Sequence, residues 1–545
     1  MFCDSPYEIR SRCLWTLINR SSLETNDESD KDSKPKHQTT NFHVARLVCR
    51  DWNTILVSDS RYWSKISISG HVNWEWLDTM AKRAGDHPLT ISVGSLDTDA
   101  AVGQNWLKKA LSFLESHLRS AEDVRLLLSH ENVAFILNCL KSTPAPILRK
   151  IRLGVTREAK STVTPLDLSS IFAFSSPVSK LTSIAIYHET TPWLLAAPSM
   201  AQVTDLTVRI RTTDDSSGEL DARLPTLQNL NHLHLISCSQ PVHLATCLAL
   251  PNISSMESTN TINVLTSPTH NFESKITSLK LTCALDLRGD LGVLLDCLDE
   301  LTLLEELVIA PRMWFLQSET NLIPSPNPPR SGLQRLHTMD LEADLQCPAL
   351  AFLIVTSFRF PQLVNLAIRK GMIAAGDCNI RDIPGARQLL QKLQTITFPM
   401  LRHLRLDFLE ALPLAHFFVS SPSLETLAGT DCVLPPTKFL PLLAPRRPTP
   451  DAWEISCPRL RGFDLRFDDP ADLDLLDLDE DDEADGDDSK FDEACLEYYA
   501  ALDQIVRTRS RFAGGGLCAE LALEVDGPWR AGDDLFGDGG WLGGL

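Results

Sequence analysis

A six-position phrase, apolar-x-x-apolar-x-apolar, recurs along most of this chain and limits what it can fold into more than any other feature. It is written at Leu148–Leu153, Leu181–Ile186, Val203–Val208, Leu230–Leu235, Ile276–Leu281, Leu304–Ile309, Leu336–Leu341, Leu363–Ile368, Leu401–Leu406 and Leu460–Leu465. Leu424–Leu427 is a truncated copy, and Cys518–Leu523 is a last one. Alternating apolar positions bury one face of a short strand and show the other to water. The first apolar residue turns inward ahead of that strand, and Pro225, Pro361, Pro422 and Pro458 introduce it in a Pro-x-Leu sequence. Helix-like apolar runs, such as Leu291–Leu298 and Leu412–Val419, lie between copies. One such unit cannot bury its own face, so neighbours must stack.

The copies stand about 30 residues apart on average, within or slightly above the spacing of leucine-rich repeats. The expected fold class is α/β, with an irregular leucine-rich-repeat-like α/β solenoid over residues 121–530. A small N-terminal helical module (1–68) and a connecting and capping segment (69–120) precede it, and a Gly-rich tail occupies 531–545. At 545 residues the chain exceeds the roughly 250–300 at which a single core stops growing. Pro-rich tracts at Ile323–Pro329 and Pro445–Pro450 read as surface connections.

The formal net charge is −20, but thirteen acidic side chains lie within Asp468–Asp488, which leaves only −7 for the rest. That tract reads as a solvated acidic loop (468–490), followed by a helix over Phe491–Arg511. Nucleic acid is not an expected partner, because phosphate binding needs a concentrated basic surface. Fourteen cysteines are scattered without CxxC pairs, and Cys139, Cys238 and Cys283 sit in apolar runs as small hydrophobes do. With no apolar h-region at the N-terminus and no membrane-length apolar run, reduced thiols in the cytoplasm or nucleus are expected, and no membrane partner.

The chemistry-bearing motifs are thin. There is no Walker lysine, G-x-S-x-G, H-E-x-x-H or zinc-type cysteine pairing, so the chain is expected to be no enzyme and to carry no cofactor or metal. Asp481, Glu483, Asp485 and Gly486 imitate a calcium loop, but Asp488 stands where that loop needs an apolar residue. His232 and His234 alternate with Leu233 and Leu235, so both imidazoles should face solvent on one strand. Together with Lys280, Arg402, His403 and Arg405, they are the candidate substrate readers on an outward strand face, and their basic character points to an acidic ligand.

The N-terminal region carries the other informative pattern. Ser5–Asn19 reads as a short helix with Ile9, Cys13, Leu14 and Leu17 on one stripe, and residues 20–41 are a polar insertion. Helical spacing resumes at Val44, Leu47, Val48, Trp52 and Ile55, with Trp63 eleven residues beyond Trp52. Val48-Cys49-Arg50-Asp51-Trp52 followed by Trp63 resembles the second half of an F-box, and Ser5-Pro6-Tyr7-Glu8-Ile9 resembles its opening phrase. The continuation, Trp76-Leu77 to Pro88-Leu89-Thr90-Ile91, is similar to the segment behind the F-box in fungal-type proteins with leucine-rich-like repeats. The resemblance implies a three-helix F-box-like module that docks on the Skp-type adaptor of a Skp–cullin–F-box ubiquitin ligase, and through it on a cullin scaffold. By that resemblance Pro6, Ile9, Leu14, Leu17, Val48, Cys49 and Trp52 would make or support the adaptor contact, and Trp63 would cap the module against the first repeats. The chain would then recruit a protein substrate for ubiquitin transfer. The alternative is a ligase-independent interaction scaffold whose N-terminal helices only cap the repeats.

Overall fold

The computed structural model describes residues 49–155 (without 71, 95–103 and 141–142), 180–187, 202–209, 227–236, 242–259, 262–264, 274–286 (without 283), 291–310, 313–315, 330–343, 348–370, 396–406, 420–429, 446–449, 452–454 and 457–465, with Leu224, Phe418, Gln504, Arg507, Arg509 and Ser510. They belong to two compact units that divide between residues 240 and 241. Pro6, Ile9, Leu14, Leu17 and Val48, the acidic loop, the calcium-loop imitation and the last phrase copy lie outside the described residues.

The first unit holds seven parallel strands in chain order: β1 (Lys65–Ile68), β2 (Leu89–Gly94), β3 (Ala121–Leu128), β4 (Lys150–Val155), β5 (Ser183–Tyr187), β6 (Asp205–Arg209) and β7 (His232–Ile236). The ladder therefore begins at Lys65, inside the segments read from sequence as module and connection. The second unit adds β8 (Val242–His243), β9 (Ser255–Ser258), β10 (Ile262–Asn263), β11 (Ser278–Leu281), β12 (Ala284–Asp286), β13 (Glu306–Ile309), β14 (Met313–Phe315) and β15 (Thr338–Ala343). It continues with β16 (Asn365–Lys370), β17 (His403–Leu406), β18 (Thr426–Gly429), β19 (Arg446–Thr449), β20 (Ala452–Glu454) and β21 (Gly462–Leu465). There β9, β11, β13, β15, β16, β17, β18 and β21 make the main parallel ladder, while β8, β10, β12 and β14 form a smaller parallel sheet. The architecture is mixed α/β with long parallel ladders, of the leucine-rich-repeat-like kind.

Register holds from strand to strand, so side chains fall into rows. In the second unit Met256, Leu279, Leu307, Met339, Leu366, Leu404 and Leu427 make one row, and all are buried. In the first, Ile66, Ile91, Val124, Ile151, Ile184, Leu206 and Leu233 do the same. A slip of one residue would turn a whole row to water, which is why the phrase is so repetitive. Helix α1 (Arg50–Ser58) precedes β1, and the others lie between strands: α2 (Trp74–Ala84), α3 (Gln104–His117), α4 (His130–Leu140), α5 (Leu244–Leu248), α6 (Leu291–Asp299) and α7 (Pro348–Ser357). The run read as helical at Leu291–Leu298 is α6, with Leu294, Leu295, Cys297 and Leu298 buried.

One local device leads into these strands. The N–H of the first phrase residue bonds the carbonyl three positions back, as in Leu401 to Phe398 (3.2 Å), Leu424 to Ser421 (3.1 Å) and Leu460 to Cys457 (3.0 Å). Proline at the second position of such a turn presets its backbone. Pro361, Pro399, Pro422 and Pro458 occupy it, and the residue before each (Phe360, Phe398, Ser421, Cys457) is buried. Phe360 stacks on Phe398 at 6.3 Å between ring centroids and lies 6.4 Å from Phe358. Fully buried Arg509 donates to the carbonyls of Cys457 (2.8 Å) and Leu460 (3.4 Å), tying a C-terminal residue to the lead-in of β21. At Gly332 an added Cβ would fall 2.1 Å from the Asp299 carbonyl oxygen, so only glycine lets this turn reach the end of α6.

Two sequence expectations are corrected. The stripe from Val44 to Ile55 is not one helix: Cys49 is extended (φ −158°, ψ 168°) and caps α1, its sulfur accepting the Trp52 N–H at 3.4 Å. A side-chain acceptor at that position satisfies one of the orphan donors of a helix start, so the turn is cut there. Pro445–Pro450 is no plain connection either, since β19 pairs antiparallel with β20. The pairing shifts between Arg446 and Thr449, around Pro448, which has no N–H to give to a ladder.

Candidate functional site

The alternate strand positions form outward rows that are mostly polar or charged, although Val308 and Asp340 in them are buried. In the second unit one row runs Ser255, Ser278, Glu306, Thr338, Asn365, His403 and Thr426, and the next Glu257, Lys280, Val308, Asp340, Ala367, Arg405 and Ala428. Neighbours along and across the rows are tied to each other. Lys280 Nζ pairs with Glu306 at 2.9 Å, and the Ser278 hydroxyl donates to the same carboxylate at 2.7 Å. Arg369 grips Asp340 through two parallel bonds of 2.8 Å from its Nε and Nη2. Such a fork matches a carboxylate in both distance and plane. Asn365 donates to Thr338 Oγ1 at 3.0 Å, and His403 Nδ1 shares a 2.8 Å bond with Thr426 Oγ1.

The expected reader residues take their places on these faces. Lys280, His403 and Arg405 are half-buried members of the outward rows, and exposed Arg402 lies one position ahead, 3.8 Å from Glu425. Arg461 is 2.6 Å from the same carboxylate. In the first unit His232 is exposed, with Asp205 at 4.0 Å, while His234 is half-buried. The two histidines therefore share one face, as their alternation with the buried Leu233 and Leu235 requires. The histidine pair and the other four belong to different units, and each set is a surface of its own unit. Sequence reasoning missed Asp340, Arg369, Glu306 and Glu425; Asp340 held the fifth place of a phrase copy, an outward place.

Burial pushes the imidazole of His403 below its ordinary range, with Arg402 and Arg461 adding to this and Glu425 opposing it. The unfolded chain takes up this proton near pH 6.5, the folded chain only at lower pH. This contribution to stability is therefore complete above pH 6.5 and is lost as pH falls from there to the folded value. Calorimetric midpoints measured from about pH 7.5 down to about pH 5 should fall more steeply for the native chain than for His403→Asn. Equal slopes would show that the imidazole is not held neutral.

Among the N-terminal residues Trp63 is the most confined: it is fully buried in the angle between α1 and α2. Its Nε1 donates to the Val57 carbonyl (3.2 Å), Trp76 meets it edge-on at 5.6 Å, and the Arg83 guanidinium lies 4.4 Å over its ring. Trp63 offers no surface to a partner. Trp52 and Cys49 keep part of their surface, whereas Ile55 and Leu56 of α1 are buried.

Among the described residues no three His, Cys, Asp or Glu side chains converge as a metal site would need. Burial raises the thiols of Cys297 and Cys457 to about 12, so neither is a nucleophile near neutral pH. No helix among the described residues is long and apolar enough to cross a membrane.

Comparison with known proteins adds little to this geometry. No family model matches the chain, and no curated protein matches it in sequence. A solved structure of a TLR13–ssRNA13 complex is similar to it at 13% identity and a TM-score of 0.38, over 75% of this chain. The chain spans about half of that protein, 52% of its length.

Proposed function

We propose that the protein is a protein-interaction scaffold without chemistry of its own, and that the outward strand rows are its binding surface. The observation that carries this reading is the contrast between the two sides of each ladder. One side is a continuous apolar core, while the other offers regularly spaced, mostly polar side chains on a rigid frame, the arrangement of a surface used for recognition. Quantitative affinity capture of the full chain, beside the Arg405→Glu and Lys280→Glu variants, tests it. Partners held by the outward rows should be depleted by the charge reversals in captures run below the unfolding midpoint of each variant, a midpoint that Lys280→Glu lowers by setting a carboxylate against Glu306 and Glu257. An unchanged partner set would count against the reading.

A narrower function is favoured by the Val48–Trp52 motif and by the partly exposed Trp52 on a helix whose Ile55 and Leu56 are buried. On this reading the chain is the substrate-recognition subunit of a Skp–cullin–F-box ubiquitin ligase, in the cytoplasm or nucleus. Its N-terminal module docks on the Skp-type adaptor, and the repeats hold a protein substrate. Tryptophan is a favoured anchor in such contacts. The Skp-type adaptor and cullin should then appear in the capture and vanish with Trp52→Ala. Their absence from the native capture would leave the scaffold and remove the ligase.

A further inference from the structure

A second surface, distinct from the candidate readers, lies on β3 and β4 of the first unit. Arg125 and Arg152 are direct cross-strand partners on the outward side, with side chains 43% and 41% exposed. Like charges directly opposite one another destabilise a strand pair, so their juxtaposition has to be offset. Among the described residues Asp123 does so: its Oδ2 takes Arg125 at 3.0 Å and has Arg152 at 3.8 Å. Lys65 and Lys150 stand in the same row as Asp123, both exposed, so over β1 to β4 these two rows carry four cations and one carboxylate, while Glu122 of β3 pairs with Arg149 at 3.4 Å outside them. Burial lowers the ammonium of Lys65 from its ordinary value, and Arg125 lowers it further. This is a local positive excess on a chain of net charge −20.

Two residues further along the strand an apolar side chain is left in water. Leu127 is 44% exposed, and its partners in the row are Gly94 and Gly154. It leans over Gly154, where an added Cβ would meet its Cδ1 at 2.6 Å. The row of guanidinium groups and the row of Leu127 are two residues apart, about 6.6 Å along the strand. An extended peptide repeats its side chains on one face at the same interval.

We infer that this surface binds an extended segment of a partner protein carrying an aspartate or glutamate and, two residues on, a large apolar side chain. The carboxylate lies between the Arg125 and Arg152 guanidinium groups, completing the neutralisation that Asp123 begins, and the apolar group covers Leu127 beside Gly154. The inference rests on the reading of the strand faces as protein-binding surfaces and gives one of them a ligand.

The test is a selection from a display library of random extended peptides on the immobilised full chain, repeated with Arg152→Gln and Leu127→Ser. Arg152→Gln leaves the Arg125–Asp123 pair in place, and Leu127 is exposed, so both variants should fold, which an unchanged unfolding midpoint verifies. The expected result is enrichment of acid-x-apolar peptides. A synthetic representative should bind at least about tenfold more weakly to Arg152→Gln, in keeping with a hydrogen bond between charged groups. Leu127→Ser should lose the preference for the apolar residue and keep that for the acid. Enriched peptides of another pattern, or ones indifferent to both variants, overturn the inference and leave the scaffold reading standing. No enrichment at all counts against both. Tighter binding of a phosphoserine version of the peptide, or its displacement by single-stranded oligonucleotide, would also overturn the assignment to a carboxylate.

Discussion

Trp63→Ala should lower the stability of the chain by about 3–5 kcal/mol, the range for removing a fully buried large aromatic side chain. The ring has no exposed surface, so all of its contact area is lost at once. Three interactions go with it: the bond to the Val57 carbonyl, the edge-on contact with Trp76 and the Arg83 guanidinium over the ring. Losing the first leaves a half-buried carbonyl at the end of α1 without that donor, and losing the third strips a cation of its aromatic face. Trp63→Phe keeps a ring for Trp76 and Arg83 and should cost less than half as much. Differential scanning calorimetry reads both. An alanine variant within about 1 kcal/mol of the native chain would mean that α1 and α2 do not depend on this residue for their docking.

The second large effect is expected at Phe360→Ala, also about 3–5 kcal/mol. Phe360 opens the lead-in turn of β16, accepting the Leu363 N–H at its carbonyl (3.4 Å), and its ring bridges Phe358 and Phe398. All three rings are buried to within 1%. Alanine keeps the turn's backbone but opens a cavity between successive repeats, where neighbours can collapse only by shifting whole strands. Phe360→Leu refills part of that volume and should recover more than half of the loss. Equal denaturation curves for alanine and leucine would show that the turn, and not the ring stack, holds this place. In either variant the outward rows keep their residues, so any partner bound there should be retained below the unfolding midpoint.

The strands were the most legible part of the sequence because one row of buried side chains per strand is enough to write them. Every described phrase copy coincides with a strand of a main ladder. β9 escaped because Ser258, fully buried, sits where the phrase would have its last apolar residue. β2 and β3 escaped because Pro88 and Ala121 stand where the phrase has its first large apolar residue, and the register shifts at Leu89. The cap at Cys49 was hidden because a helical stripe records side-chain spacing and is silent about one extended residue. The Arg125–Arg152 pair could not be read at all, since it exists only once β3 and β4 are aligned. The outward direction of His232, Lys280 and His403 followed from alternation alone. Their ion-pair and hydrogen-bond partners, Asp205, Glu306 and Thr426, come from neighbouring repeats and needed the register.

The central claim is that the outward strand rows, and not the helices behind them, hold protein partners. Quantitative capture by three full-length chains measures this most directly: native, Arg405→Glu on an outward row, and Phe135→Ser at an exposed position of α4. The account predicts that Arg405→Glu depletes specific partners while Phe135→Ser retains them, in captures run below the unfolding midpoint of each chain. Depletion by Phe135→Ser alone, with Arg405→Glu indistinguishable from native, would contradict it.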